Sequence, residues 1–268
     1  MLAALVVAAW AGGPAVAREL RVCADPNNLP FSDKAGEGYE NKLVELVARD
    51  LDAKVTYVWW AQRRGFLRNT ILAGKCDLVP GLPVGVEMLR STAPALYRSS
   101  YVFVTRPDEP PISSLDDPRL RELKIGVQMI GDDGYNTPPA HALARRGVID
   151  NVRGYGVFGD YSEPHPPSRV VDAVARGEVD VALVWGPLAG YFAARATPPL
   201  RVTKISPPFD GPRLPMAFDI SMAVRRDDVE LRGEVAAALR RHRAEVDAIL
   251  AEYDIPRLDQ PSQAAAER

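Results

Sequence analysis

The chain has 268 residues, 33 basic against 35 acidic side chains, and a formal net charge of -2. Hydrophobic residues make up 47% and charged ones 25%, the composition of a globular protein and not of a disordered chain. The charge balance excludes a broad polybasic surface, so nucleic acid is not an expected partner, and the length suits one large domain or two medium ones.

Residues 1–17 carry no charge and end in Ala15-Val16-Ala17, the small-residue pattern at which secretory signal peptides are cut. The run lacks the basic n-region of such peptides. Gly12, Gly13 and Pro14 interrupt it short of the ~20 apolar residues that a membrane span needs. Export with cleavage of residues 1–17 is the expectation, with no membrane span thereafter. In an oxidising compartment Cys23 and Cys76, the two cysteines of the chain, are expected to pair. A free reactive thiol is the other reading. Neither cysteine has the spacing of a zinc or C-x-x-C site.

Apolar runs then alternate with helical patterns. Residues 20–24 read as a strand. Residues 40–51 read as a helix with Leu43, Leu46, Val47 and Leu51 on one face. A strand at 55–60, a helix at 65–73 and a strand at 77–79 complete a βαβαβ rhythm, which argues for a parallel sheet. An extended run at 97–105 ends at Arg106-Pro107 and a proline-rich stretch. A second set follows: a strand at 124–128, and a helix opened by Thr137-Pro138 and closed by Gly147. A strand at 152–158, a helix at 168–176 closed by Gly177, and a strand at 180–185 continue it. After Pro198-Pro199 come an extended run at 200–205, a strand at 220–224 and one long helix at 229–250.

Proline-marked crossings near 106 and 199 suggest two lobes. The first is discontinuous, residues 18–105 plus 200–259. The second, 106–199, is inserted into it, and 260–268 form a flexible tail. The fold class expected is α/β, a two-lobed periplasmic binding protein type II fold, each lobe a mainly parallel sheet flanked by helices, joined by two hinge strands. Ligands of open α/β sheets sit beyond the carboxyl ends of the strands, here where the lobes face each other.

Five segments carry a family resemblance: CADPNNLPFSD (23–33), QRRGFLRNTILAGKCDLVPGLP (62–83), YRSSYVFV (97–104), IGVQMIGDDGYNTPPAHALARRG (125–147) and DVALVWGPLAGYFA (180–193). They resemble the quinoprotein-dehydrogenase-associated periplasmic binding proteins of the MxaJ/XoxJ type, found with methanol dehydrogenases that use pyrroloquinoline quinone. Residues 85–95 fit that pattern less well. The resemblance implies a non-enzymatic accessory protein without cofactor, a monomer that assists assembly or activation of a quinoprotein methanol or alcohol dehydrogenase by holding part of the apo form in its cleft. A solute receptor of an ABC-type transporter for a small non-amino-acid ligand is the alternative. A dehydratase-like enzyme on the same fold comes third.

The wider superfamily includes amino-acid receptors, which hold a carboxylate with an arginine and an ammonium with an aspartate at a strand end. Here Trp185, followed by Gly186, stands where that aspartate is expected, and Arg90 reaches the arginine position only by a shift of register. Asp132 and Asp133, with Asn136 nearby, suit a cation or, more simply, an acidic turn that stabilises the following helix. Asn27, Asn28 and Phe31 follow the first strand, and Arg63 and Arg64 precede the second helix; both loops commonly line such clefts. Turn capping and solvated arginines are the plainer readings. Trp59 and Trp60 read as core packing, and Arg240, Arg241, His242 and Arg243 as a solvated face or, less simply, a docking patch for an acidic partner. His141, His165 and His242 lie in no catalytic motif.

Overall fold

The computed structural model describes residues 18–130, 136–156 and 161–258. Strand β1 (Arg18–Ala24) leads through a small hairpin, β2 (Asn27–Asn28) and β3 (Ser32–Asp33), into helix α1 (Tyr39–Asp50). The helix buries Leu43, Val44, Leu46 and Val47, the stripe that its periodicity dictates. Strand β4 (Ala53–Trp59) returns parallel to β1. The short α2 (Phe66–Asn69) then leads to β5 (Leu78–Pro83), which pairs with β1 on its other side. The predicted helix at 65–73 is broken: it becomes α2 and a 3-10 turn, Ile71–Ala73. Thr70 between them is buried, and its hydroxyl donates back to the Phe66 carbonyl at 2.6 Å, a bond that competes with regular helix.

Strand β6 (Leu89–Ser91) precedes the long β7 (Tyr97–Thr105). Then come β8 (Ile125–Met129), α3 (Pro138–Arg145), β9 (Val152–Gly156), α4 (Arg169–Ala175), β10 (Val181–Trp185), α5 (Gly186–Arg195) and β11 (Arg201–Lys204). Strand β12 (Ala217–Arg225) and helices α6 (Val229–Arg241) and α7 (Arg243–Glu252) complete the order. The expected single helix at 229–250 is thus two helices joined at His242. The ring of His242 lies 2.9 Å from Asp50 Oδ1 and 2.7 Å from Glu245 Oε1, and Arg241 also pairs with Asp50. These pairs hold Asp50 down to about 2, first through Arg241, and raise the His242 pKa, first through Glu245. Arg240 and Arg243 donate to the Ala93 and Leu96 carbonyls. The basic cluster therefore ties the terminal helices to the first lobe.

The strands run in the order β4-β1-β5-β12-β7-β10-β8-β9. Pairing changes hands inside β7. Residues Tyr97 to Ser100 pair with β12, whereas Tyr101 to Thr105 pair with β10 and β11. One strand thereby joins two α/β layers into two lobes. In the second lobe, Val181 and Leu183 pack one face of the sheet, while Ala182 and Val184 pack the other, as a sheet covered on both sides requires. The terminal segment runs back over the junction: Leu258 N–H bonds the Arg98 carbonyl, and the Pro256 carbonyl accepts from Ser99 Oγ. Cys23 and Cys76 form a disulfide with Cα atoms 5.6 Å apart, beside Phe66, Ile71 and Val79.

Trp59, at the end of β4, and Trp60, just after it, are not core. Trp59 is half-buried and stacks on Tyr57 at 4.5 Å, and Trp60 is 38% exposed beneath the Lys75 ammonium. The reason is topological: β4 is the outermost strand of its sheet, with one flank open.

Candidate functional site

A cavity of about 300 Å³ lies at the junction of the lobes. The first lobe supplies Asn28 and Phe31 from the β2–β3 hairpin, Glu40 from the first turn of α1, Gln62 after β4, and Gly81, Leu82 and Pro83 from the end of β5. The junction strands add Tyr97 and Tyr101 from β7 and Phe218 and Ile220 from β12. Trp185, at the carboxyl end of β10, is the second lobe's contribution. Its ring meets Tyr101 edge-on at 5.3 Å and Phe218 at 6.0 Å. Its backbone N–H donates to the buried Gln128 side chain at 2.7 Å.

Trp185 reaches this position because the next residue is glycine. A Cβ on Gly186 would stand 2.5 Å from the Ser100 carbonyl oxygen and 2.7 Å from Ser99 Oγ. Only a bare Cα lets α5 start against β7 at the point where that strand changes lobes. Gly81 plays the same part opposite Glu40, since a Cβ there would overlap the Glu40 carboxyl.

Glu40 is 5% exposed and lines the cavity, and among the described residues no hydrogen bond offsets the desolvation of its carboxyl. Burial, then the nearby Asp25 carboxylate, push it up to about 8, so at neutral pH it is mostly a neutral acid. Asp25 itself is buried at the end of β1 and fully engaged. It accepts from the Asn27 N–H at 3.0 Å, the Gln62 N–H at 2.6 Å and the Tyr161 hydroxyl at 2.7 Å. Tyr161 precedes α4 in the second lobe, and the Asn27 side chain donates to the Glu163 carbonyl at 3.0 Å. Two polar bonds therefore clasp the lobes beside the cavity.

Of the residues singled out in the sequence, Asn28, Phe31 and Trp185 line the cavity. Asn27 belongs to the clasp, and Gly186 packs on β7 below Trp185. Arg63 and Arg64 are exposed and outside the lining. The Asn136 side chain is half-buried ahead of α3, its Oδ1 without a partner among the described residues. Asp132 and Asp133 lie outside the described residues. Arg90 is exposed on β6, at a separate surface groove. No group of three or more metal-ligating side chains occurs among the described residues. Sequence reading missed Glu40, Tyr101 and Phe218. A signal for Glu40 existed, because it is in helical phase with Leu43, Val44 and Val47 and so shares their buried face.

Lobes joined by a shared strand, with a cavity beyond the carboxyl ends of β1 and β10, define a two-lobed periplasmic binding protein of type II. The chain covers 100% of the crystal structure of the periplasmic binding protein XoxJ from Methylobacterium extorquens AM1, at 33% identity and a TM-score of 0.73 over 90% of its own length. It likewise matches MxaJ from Methlophaga aminisulfidivorans MPT at 26% identity and a TM-score of 0.77, over 89% of this chain and 100% of that one. Protein MoxJ of Methylorubrum extorquens AM1 is 33% identical over 249 residues, 88% of this chain and 81% of that protein. The chain belongs to the MoxJ family, the MxaJ/XoxJ-type periplasmic binding proteins associated with methanol oxidation. No family model matches it. No helix among the described residues is long and apolar enough to cross a membrane.

Proposed function

We propose that the protein is a non-enzymatic accessory protein of a quinoprotein methanol or alcohol dehydrogenase, binding part of the apo-enzyme in its interlobe cleft during assembly or activation. One observation carries this reading: a receptor fold whose cavity has aromatic rings where charged anchors are expected. Trp185 stands at the strand end, Arg90 lies elsewhere, and no Arg, Lys or His lines the cavity among the described residues. An amino-acid zwitterion would leave its carboxylate unpaired there, at a cost that buried charges do not sustain. Apolar area and ring edges instead suit a segment of a protein partner. The reading includes removal of residues 1–17 on export and action in the periplasm as a monomer.

The test is retention of apo-dehydrogenase by the immobilised mature protein, with Trp185→Ala/Phe218→Ala as control. Retention of the apo form, reduced at least about tenfold by the double substitution, is expected, since buried aromatic anchors dominate such contacts. Absence of retention at micromolar concentrations overturns the reading. The cavity volume favours a second reading, a receptor for a small solute other than an amino acid, since about 300 Å³ is the lower end of small-ligand sites.

A further inference from the structure

Glu40 poses a question that a cleft for apolar contact leaves unanswered. The residue is 5% exposed, its carboxyl is offered no hydrogen bond that offsets desolvation among the described residues, and it faces a cavity rather than packed side chains, so its charged form is disfavoured in the absence of a cation. Five rings, Phe31, Tyr97, Tyr101, Trp185 and Phe218, surround the same space. Aromatic rings attract cations through their quadrupole, most strongly where water is excluded.

We propose that this cavity binds an organic ammonium group, its positive head against the Glu40 carboxyl and its alkyl surface against the aromatic walls. The site holds one acidic group and no basic one among the described residues, so the cation supplies the charge that the protein lacks. An anion meets Glu40 and Asp25 without a counter-charge. A neutral apolar ligand would leave the Glu40 carboxyl unsatisfied.

Binding has a proton balance. With its pKa near 8, Glu40 is largely protonated at pH 7, and the incoming cation replaces the proton, which leaves to solvent. The other titratable groups that act on Glu40 or are acted on by it are Asp25 just after β1, Tyr39 on its own helix, Tyr57 on β4 and Tyr97 on β7. The three tyrosines are raised further by burial and stay neutral. Affinity therefore rises with pH up to about 8, by roughly tenfold per unit well below that pH, and then levels.

The head group could belong to a free amine or to a lysine side chain of a partner, and the assignment stands on the cavity alone, without the dehydrogenase. The experiment is calorimetry on the full mature chain with choline, with its neutral isostere 3,3-dimethylbutan-1-ol, and with Nα-acetyl-lysine methylamide, in two buffers of different ionisation enthalpy. We expect a cation to bind with proton release and the neutral isostere to bind at least about tenfold more weakly. Glu40→Gln should lose at least about tenfold in affinity together with the proton release. Gly81→Ala, whose new methyl displaces the Glu40 carboxyl, should weaken binding without altering any charge. Tighter binding of choline assigns the head to a free solute, and tighter binding of the lysine derivative assigns it to a partner. Equal binding of choline and its isostere, unchanged affinity in both variants, or no binding by either cation overturns the proposal.

Discussion

Glu40 is an acid placed on the buried stripe of an amphipathic helix, and its ionisation leaves a mark on stability. Its pKa is about 8 when folded and in the usual carboxylate range near 4.5 when unfolded. The folded state thus holds its proton more tightly, so this group's contribution to stability falls as pH rises from about 4.5 to 8. Glu40→Gln removes that loss. The variant is expected to match the wild type at pH 5 and to exceed it at pH 8, by on the order of a few kcal/mol. Urea unfolding at the two pH values checks this, and an equal difference at both would sink it. The apolar phase of residue 40 is legible in the sequence. Its missing partner is not, because that depends on which side chains of β5, β7 and β12 come to face it.

Among the elements, α5 depends most on a close approach. It starts one residue after Trp185, and its first residue leaves no room for a side chain against β7. Gly186→Ala is expected to destabilise by about 1–3 kcal/mol, because backbone rather than a flexible side chain must move. The same shift withdraws the Trp185 ring from Tyr101 and Phe218. A lower urea midpoint together with a changed tryptophan emission spectrum is the expected pair of readouts; wild-type values in both would refute it. Most strands and helices follow from local pattern: the stripe of α1, the buried run of β10, the left-handed Gly147 and Gly177 beyond α3 and α4. The exceptions are tertiary. The break at His242 follows the Asp50 carboxylate on another helix, and the break at Thr70 follows a buried hydroxyl that bonds its own chain.

For the molecule as a whole, the disulfide and the clasp hold different things. The Cys23–Cys76 bond lies within the first lobe, where closing a loop of sequence separation 53 contributes about 4 kcal/mol in the chain-entropy model. Cys23→Ser/Cys76→Ser should lower stability by about 2–5 kcal/mol while leaving the distance between the lobes unchanged. The clasp holds the lobes together instead. Tyr161→Phe/Asn27→Ala removes the Tyr161–Asp25 and Asn27–Glu163 bonds across the cleft, and an increase in the radius of gyration by small-angle scattering, without loss of helix content, is the expected result. An unchanged radius would refute the clasp and leave the shared β7 strand and the Arg195–Asp254 pair as what holds the lobes together.

The sequence alone determined the α/β class, the two lobes, the cysteine pair and an aromatic residue at the end of β10. Each of these rests on local periodicity, compartment chemistry or a long resemblance, which a linear chain carries in full. Tertiary structure alone decided that Glu40, Tyr101, Trp185 and Phe218 share one cavity, that Asn27 clasps the opposite lobe, and that Arg63 and Arg64 are exposed outside the cavity lining. The physical reason is distance along the chain. The four cavity side chains come from four separate elements, α1, β7, β10 and β12, and the exchange of partners within β7 brings their ends together.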